Sequence, residues 1–496
     1  MGDTVGPSAS LDFDQTTSRF LAWFTSADGT RISPKVELKD LRAQNAGRGA
    51  VAKNDIVEDE ELFAIPRSLV LTTTTSSIVP SLLEPLEDMG AWPPLIVTII
   101  YEYLRHEQSP WYPYFQVLPT TFDSLMFWNQ QELEELQASA VVDKIGKRSA
   151  EESWKSSIIP LMLQHPDSFP LASATTEAEK TAKLIELAHM AGSLLMAYAF
   201  DIDRDENKNE NDDEASEDHD WEEDDEAEPL KGMVPLADML NADADRNNAR
   251  LYQETGYLVM KATKPISQGE QIFNDYGPLP RSDLLRMYGY LTDNYAQYDV
   301  VEISYDLLLE VSGRKTSHDP AWIQKEEQLE ELGLLDDGYA ITRAEQGLST
   351  TLPDAIPGEL HMLLRALCTH DKNGGANLKK PKDSITVEEA ALLQSILTKR
   401  ITEYSTSYEA DQALWASLNQ TGFDDADIAA GKSLRRCSMA LQVRMGEKEI
   451  LHQLLSICQE HIKQKSEELR GPNSNGFSKR KHDGDTNTQP KKVARR

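Results

Sequence analysis

The sequence predicts an α+β protein: a mostly-β core, interrupted by a long helical insertion and followed by a helical domain. Two β-like regions, at about 36–72 and 250–277, flank a helical stretch from Pro94 to Phe200. From about residue 300 the apolar spacing stays helical. A doubly wound α/β fold would instead alternate strand and helix along the whole chain.

In the first β-like region the runs VELKDL, GAVAK, ELFAIP and SLVLT are short, with Gly47, Gly49 and Pro66 as punctuation. Residues 1 to about 18 are polar and predict a loose N-terminus. In the insertion, Pro94 to Ile100 and Ile158 to Leu163 supply apolar faces, and Leu184, Leu187, Ala188, Ala191, Leu194 and Leu195 recur at helical spacing. Asp201 to Glu228 holds seventeen acidic residues against Arg204 and Lys208, a net −15 with almost nothing to bury, which predicts a disordered loop. Strands resume in LYQETGYLVMKA, with Gly256 at a hairpin turn, and in EQIFNDYG. Further on, Thr386-Val387-Glu388-Glu389 is a capping box heading an apolar face of Leu392, Leu393, Ile396, Leu397 and Ile401. The domain plan is therefore a loose 1–18, a core over 19–295 carrying the helical insertion (94–200) and the acidic loop (201–228), a helical domain over 300–465, and a disordered basic tail over 471–496.

Eighty-three acidic against 50 basic residues give a net charge of −33, which disfavours direct contact with nucleic acid and favours a basic partner. The tail runs against that balance. Lys479-Arg480-Lys481 and Lys491-Lys492 read as a bipartite nuclear import signal, predicting importin as a partner and the nucleus as a location, with the cytoplasm also open. Three cysteines without metal-ligand spacing predict no metal site, no disulfide framework and a reducing compartment. The opening MGDTVGPSASLDFDQ lacks the basic start and apolar run of a signal peptide. The apolar stretch Leu187 to Phe200, broken by His189, Gly192 and Ser193, is too short for a bilayer, so no membrane partner is expected.

The densest signal is MVPLADMLNADADRNNARL, starting at Met233, followed by GEQIFNDYGPLPRSDLLRMYGYL, starting at Gly269. Upstream stand Ala46-Gly47-Arg48-Gly49-Ala50-Val51, Glu61-Leu62-Phe63-Ala64-Ile65-Pro66 and the run Trp111 to Pro119, WYPYFQVLP. In this order the motifs resemble those of the SET-domain protein-lysine methyltransferases, in the branch that includes the Rubisco methyltransferases, over about residues 20–465. The resemblance implies a SET core with its pseudoknot, a helical substrate-binding domain behind it, S-adenosylmethionine as methyl donor and a lysine of a basic protein as acceptor. The acidic stretch before Met233-Val234-Pro235 is similar to that of fungal ribosomal lysine methyltransferases and their animal nuclear counterparts, which implies a large-subunit ribosomal protein as substrate. Histones or other nuclear proteins, a histidine target, and a catalytically weak interaction scaffold stand as alternatives.

By the same resemblance Tyr276, in Phe273-Asn274-Asp275-Tyr276-Gly277, is the catalytic residue. Ala46, Gly47, Arg48, Tyr198, Asn241, Ala242 and Tyr288 line the cofactor, and Trp92, Ala199 and Asp201 flank the substrate. Ala242 stands where the family carries histidine, which keeps a backbone contact to adenine and loses a side-chain hydrogen bond. Outside the motif train Tyr276 would be a turn aromatic, the Gly47 loop a hairpin, and Trp92 and Tyr198 core residues. The chemistry suits such a constellation. A lysine must shed its proton, held at a pKa of about 10.4 in water, before it attacks a methyl group. A narrow apolar channel both lowers that value by desolvation and aligns the reacting atoms.

Overall fold

A computed structural model describes residues 13–44, 46–171, 174–203, 230–314, 320–344, 350–369, 384–421 and 433–470. The described residues begin in helix α1 (Phe13–Ser26), which buries Thr16, Thr17, Phe20 and Phe24 on one face. Helix therefore replaces the looseness expected over 13–18, while 1–12 lie outside the described residues. The Thr16 and Thr17 hydroxyls donate back to the Phe13 carbonyl at 2.9 and 2.8 Å, so two polar residues enter the interior already satisfied.

Strands β1 (Arg31–Ile32), β2 (Val36–Asp40), β3 (Arg48–Ala52) and β4 (Glu61–Pro66) follow. Five of the six β4 residues are buried, so this strand is covered on both faces. The run SLVLT is not a strand: Arg67–Leu69 is a 3-10 turn, and Leu71 makes only an isolated bridge to Met233. The insertion comprises α2 (Trp92–Leu104), α3 (Tyr112–Phe115), α4 (Gln130–Leu133), α5 (Lys147–Ser156), α6 (Ile158–Gln164) and α7 (Glu177–Tyr198). Thr176 and Glu179 form a capping box that starts α7. Then come β5 (Ala199–Ile202), β6 (Leu230–Met233), β7 (Ala249–Glu254), β8 (Tyr257–Ala262), β9 (Gln271–Ile272) and α8 (Arg281–Tyr288). Asp201 and Ile202 are thus strand residues paired with Lys231 and Leu230, where a disordered loop was expected to begin; 204–229 lie outside the described residues.

Besides a two-stranded sheet of β10 (Val300–Ser304) and β11 (Gly338–Thr342), three small sheets, ordered β1-β4-β8-β7, β2-β3-β9 and β5-β6, pair antiparallel throughout. One apolar cluster joins them to α1, α2 and α7 through residues such as Phe20, Phe63, Ile100, Leu194 and Met260. Helices α9 (Tyr305–Val311), α10 (Pro320–Glu331), α11 (Gly358–Cys368), α12 (Val387–Glu403), α13 (Tyr408–Thr421) and α14 (Leu434–Arg470) complete the chain. The expected capping box on α12 is present, with Glu389 N donating to Thr386 Oγ1 at 3.2 Å and Thr386 N to Glu389 Oε2 at 2.9 Å.

The chain divides into two compact units: Met1–Ile303 with Ala340–Glu345 and Arg400–Leu451, and Ser304–Tyr339 with Gln346–Lys399 and His452–Arg496. Residues 400–451 cluster with the first unit. Ion pairs give the reason. Arg436 binds Asp123 at 3.1 Å and Glu132 at 2.8 Å, and the buried Arg444 reaches Glu135 at 3.2 Å. The tail, 471–496, lies outside the described residues. No helix among the described residues is long and apolar enough to cross a membrane.

Candidate active site

The site begins with a glycine. Gly289 ends α8 at φ 73°, and a Cβ there would sit 2.5 Å from the Ser124 amide nitrogen and 2.7 Å from the Asp123 carbonyl carbon. Only glycine fits this left-handed position against another backbone, and the turn it makes sets Tyr288 and Tyr290 on either side. The Tyr288 ring stacks on Tyr276, centroids 4.5 Å apart and planes at 14°, and Tyr290 meets Tyr288 edge-on at 6.3 Å. Tyr198 is the last residue of α7.

Burial governs these phenols. It pushes Tyr276 well above the ordinary tyrosine value, raises Tyr288 and Tyr290, and takes Tyr198 to about 12. All four stay protonated near neutrality and carry no charge.

The Asn241 motif meets the Tyr276 motif through the backbone. Asn274 N donates to the Asn241 carbonyl at 2.9 Å, Asp243 N donates to the Asn274 carbonyl at 3.1 Å, and Ala242 bridges Asn274 in parallel. Ala242 is buried. On the other side, a Cβ on Gly49 would lie 2.8 Å from Asn241 Nδ2 and 2.5 Å from Leu41 Cδ1, whereas nothing stands within 4 Å of one on Gly47. The 46–49 backbone thus presses against Asn241 and leaves open space over Gly47, a cradle suited to the nucleoside end of a cofactor.

Arg48 enters that cradle by its main chain alone. Its guanidinium turns to α1 and the 111–119 run, donating to Thr17 Oγ1 at 3.1 Å and the Val117 carbonyl at 2.8 Å, and lies 4.1 Å from the centre of the Phe13 ring. Of the residues expected beside substrate, Ala199 pairs with Met233 in the β5-β6 ribbon, and the exposed Asp201 is ion-paired with Lys231 across it. Trp92 opens α2, half-buried against the apolar core.

Two partners went unassigned in the sequence: Tyr290 and the pair Tyr114–Asp238. A second tyrosine flanking Gly289 signals the first. For the other, the signal is a lone aspartate in an apolar run, Val234-Pro235-Leu236-Ala237-Asp238. Leu236 is fully buried at φ 76°, a strained value for a branched residue, and the 3-10 turn Ala237–Met239 follows it. Asp238, 6% exposed, accepts a hydrogen bond from the fully buried Tyr114 hydroxyl, and Tyr114 stacks on Trp23 of α1 at 7°. Burial pushes the Asp238 carboxyl up to about 8, with the Tyr114 bond drawing it partly back.

Comparison with known proteins decides the family. The SET domain matches residues 47–277, and the Rubisco LSMT substrate-binding domain matches 316–451. Human N-lysine methyltransferase SETD6 is 31% identical over 444 residues, covering 83% of this chain and 84% of that protein. The chain belongs to the SET-domain N-lysine methyltransferases. Ribosomal lysine N-methyltransferase 4 of Saccharomyces cerevisiae is 38% identical over 307 residues, and this methyltransferase spans only 60% of that relative's length. The fold is shared with the SET domain of LSMT solved with lysine and AdoHcy, at a TM-score of 0.64 and 20% identity over 94% of this chain and 98% of that one.

Proposed function

We propose that this methyltransferase transfers a methyl group from S-adenosylmethionine to a lysine of a basic, large-subunit ribosomal protein, with Tyr276 at the neck of the lysine channel. The observation that carries the reading is the stacked Tyr276–Tyr288 pair, held neutral by burial beside the Gly49–Asn241 cradle. S-adenosylmethionine supplies an electrophilic methyl on its sulfonium. Asn241 and the 46–48 backbone hold its nucleoside end, and Tyr288 walls it. The tyrosine rings exclude water, which lowers the lysine pKa and fixes nitrogen in line with the methyl. The Tyr276 hydroxyl orients the amine, a contact that matters most at the transition state.

The ribosomal target rests on the yeast relative's name together with the charge of this chain, −33 overall with −15 in 201–228. That acidic stretch would raise the local concentration of a basic substrate by long-range attraction. Incubation with labelled S-adenosylmethionine and separated ribosomal proteins should place label on a large-subunit lysine; label on core histones alone would move the assignment to a histone enzyme. The basic tail supports nuclear import, so deleting 479–496 should release a fluorescent fusion from the nucleus, and unchanged nuclear accumulation would refute that role.

A further inference from the structure

We infer that the first half of α14 is a splint for α8, in which Arg436 and Gly446 are positioning residues that hold the Tyr288 ring against Tyr276. The inference rests on Tyr288 walling the cofactor and concerns what keeps it there. Arg281 is the first residue of α8 and Tyr288 the last. A ring at a helix end moves with its helix. The Tyr276–Tyr288 stack, with centroids 4.5 Å apart, is therefore only as firm as the two ends of α8.

Both ends are held, and both by α14. At the first, Asp299 accepts from the Arg281 amide at 3.2 Å and from its guanidinium at 3.1 and 2.5 Å. Arg343 joins that carboxylate, at 3.3 Å, to Glu449 of α14, at 2.7 Å. Gly446 lets α14 close over the pair: a Cβ there would stand 2.8 Å from Arg281 Nη2 and nearer still to Asp299 Oδ2. At the other end, Gly289 lies against the backbone of Asp123 and Ser124. Arg436 fixes that segment, donating to the Phe122 carbonyl at 3.2 Å and Asp123 Oδ1 at 3.1 Å. It also donates to the Phe127 carbonyl at 3.1 Å and Glu132 Oε2 at 2.8 Å. Between the ends, Leu285 is buried with Met439, Ala440 and Val443. The two helices therefore run antiparallel, and their spans agree, the stretch from Arg436 to Gly446 rising about 15 Å and α8 about 12 Å. Residues 316–451 match the substrate-binding domain, so the last stretch of that match braces the wall of the cofactor site.

The test is fluorine NMR of the full chain labelled with 3-fluorotyrosine, with calorimetry of S-adenosylhomocysteine binding, on Arg436→Lys and Gly446→Ala. Lysine keeps the charge but lacks the planar fork that reaches several acceptors at once. Alanine suits a helix better than glycine, so only the push of its methyl on Arg281 and Asp299 can make Gly446→Ala harmful. The Tyr276 and Tyr288 resonances, identified by their loss in Tyr276→Phe and Tyr288→Phe, should move toward the value of the free amino acid as the rings unstack. The other tyrosines should stay near their wild-type positions. Affinity for S-adenosylhomocysteine should fall about tenfold, the scale of one aromatic contact. Moved resonances with unaltered affinity would keep the splint and refute the cofactor role of Tyr288 instead. Unmoved resonances in either folded variant overturn the inference. A shift spread evenly over all sixteen tyrosines, or failure of both variants to fold, makes α14 a general strut and overturns it too. If one variant fails to fold, the other decides.

Discussion

Two aspartates of the first unit are almost equally sealed from water, Asp238 at 6% exposure and Asp411 at 1%, and they titrate in opposite directions. Asp411 faces Arg444 at 3.0 Å, Lys448 at 2.5 Å and the Thr406 hydroxyl at 2.8 Å. Burial pushes its carboxyl up, but these partners outweigh it and hold the pKa below the usual range. Asp238 has a tyrosine, two backbone N–H groups and, among the described residues, no cation, so burial prevails and carries it to about 8. Desolvation is common to both; the count of facing cations sets the sign. A carboxylate that ties helices together has its charge met within the fold, whereas one held only by a phenol and backbone N–H groups is pushed toward its neutral form.

The contrast can be broken most forcefully at Asp411. Asp411→Asn leaves buried Lys448 without a carboxylate and Arg444 with Glu135 alone, and should cost about 3–5 kcal/mol of unfolding free energy, read from denaturant midpoints. A cost under about 1 kcal/mol would show that the lattice is solvent-screened. Asp238→Asn should act the other way. Its folded pKa, about 8, lies above the ordinary value of 3.8, so the native state binds more protons between those limits, and wild-type stability falls as pH rises through that window. The fall approaches ~1.4 kcal/mol per pH unit, so Asp238→Asn should gain on wild type progressively up to about pH 8 and no further. Glu447 sharpens the rule with an intermediate case. It accepts from Ser139 at 2.5 Å and Tyr404 at 2.7 Å, and burial pushes it to about 7 from 4.5. Its stability term is therefore also lost as pH rises, over the shorter window of 4.5 to about 7, and Glu447→Gln should flatten that part of the curve.

The same difference explains what the sequence disclosed. Strands β2, β3 and β4 were legible because their apolar runs are short and bounded by turn residues, and the tyrosine group because its members sit in ordered motifs. α1 was hidden because two of its buried residues are threonines, satisfied by their own helix. The direction of the Arg48 side chain was not legible because its partners, Thr17 and Val117, lie 31 and 69 residues away. Asp411 left no trace at all: its partners lie on another helix, 33 and 37 residues on. Motifs report residues that meet a ligand. Pairs that meet only each other across the fold leave no local pattern.

The central claim is that the stacked tyrosines line a lysine channel with Tyr276 at its neck, and label transfer by Tyr276→Phe tests it most directly. Removing one hydroxyl from a stacked ring should leave S-adenosylhomocysteine binding and thermal stability near wild type. Methyl transfer to the ribosomal acceptor should fall by about 10²–10³-fold, the scale of one lost transition-state hydrogen bond. Transfer at the wild-type rate, with cofactor binding intact, would contradict the account.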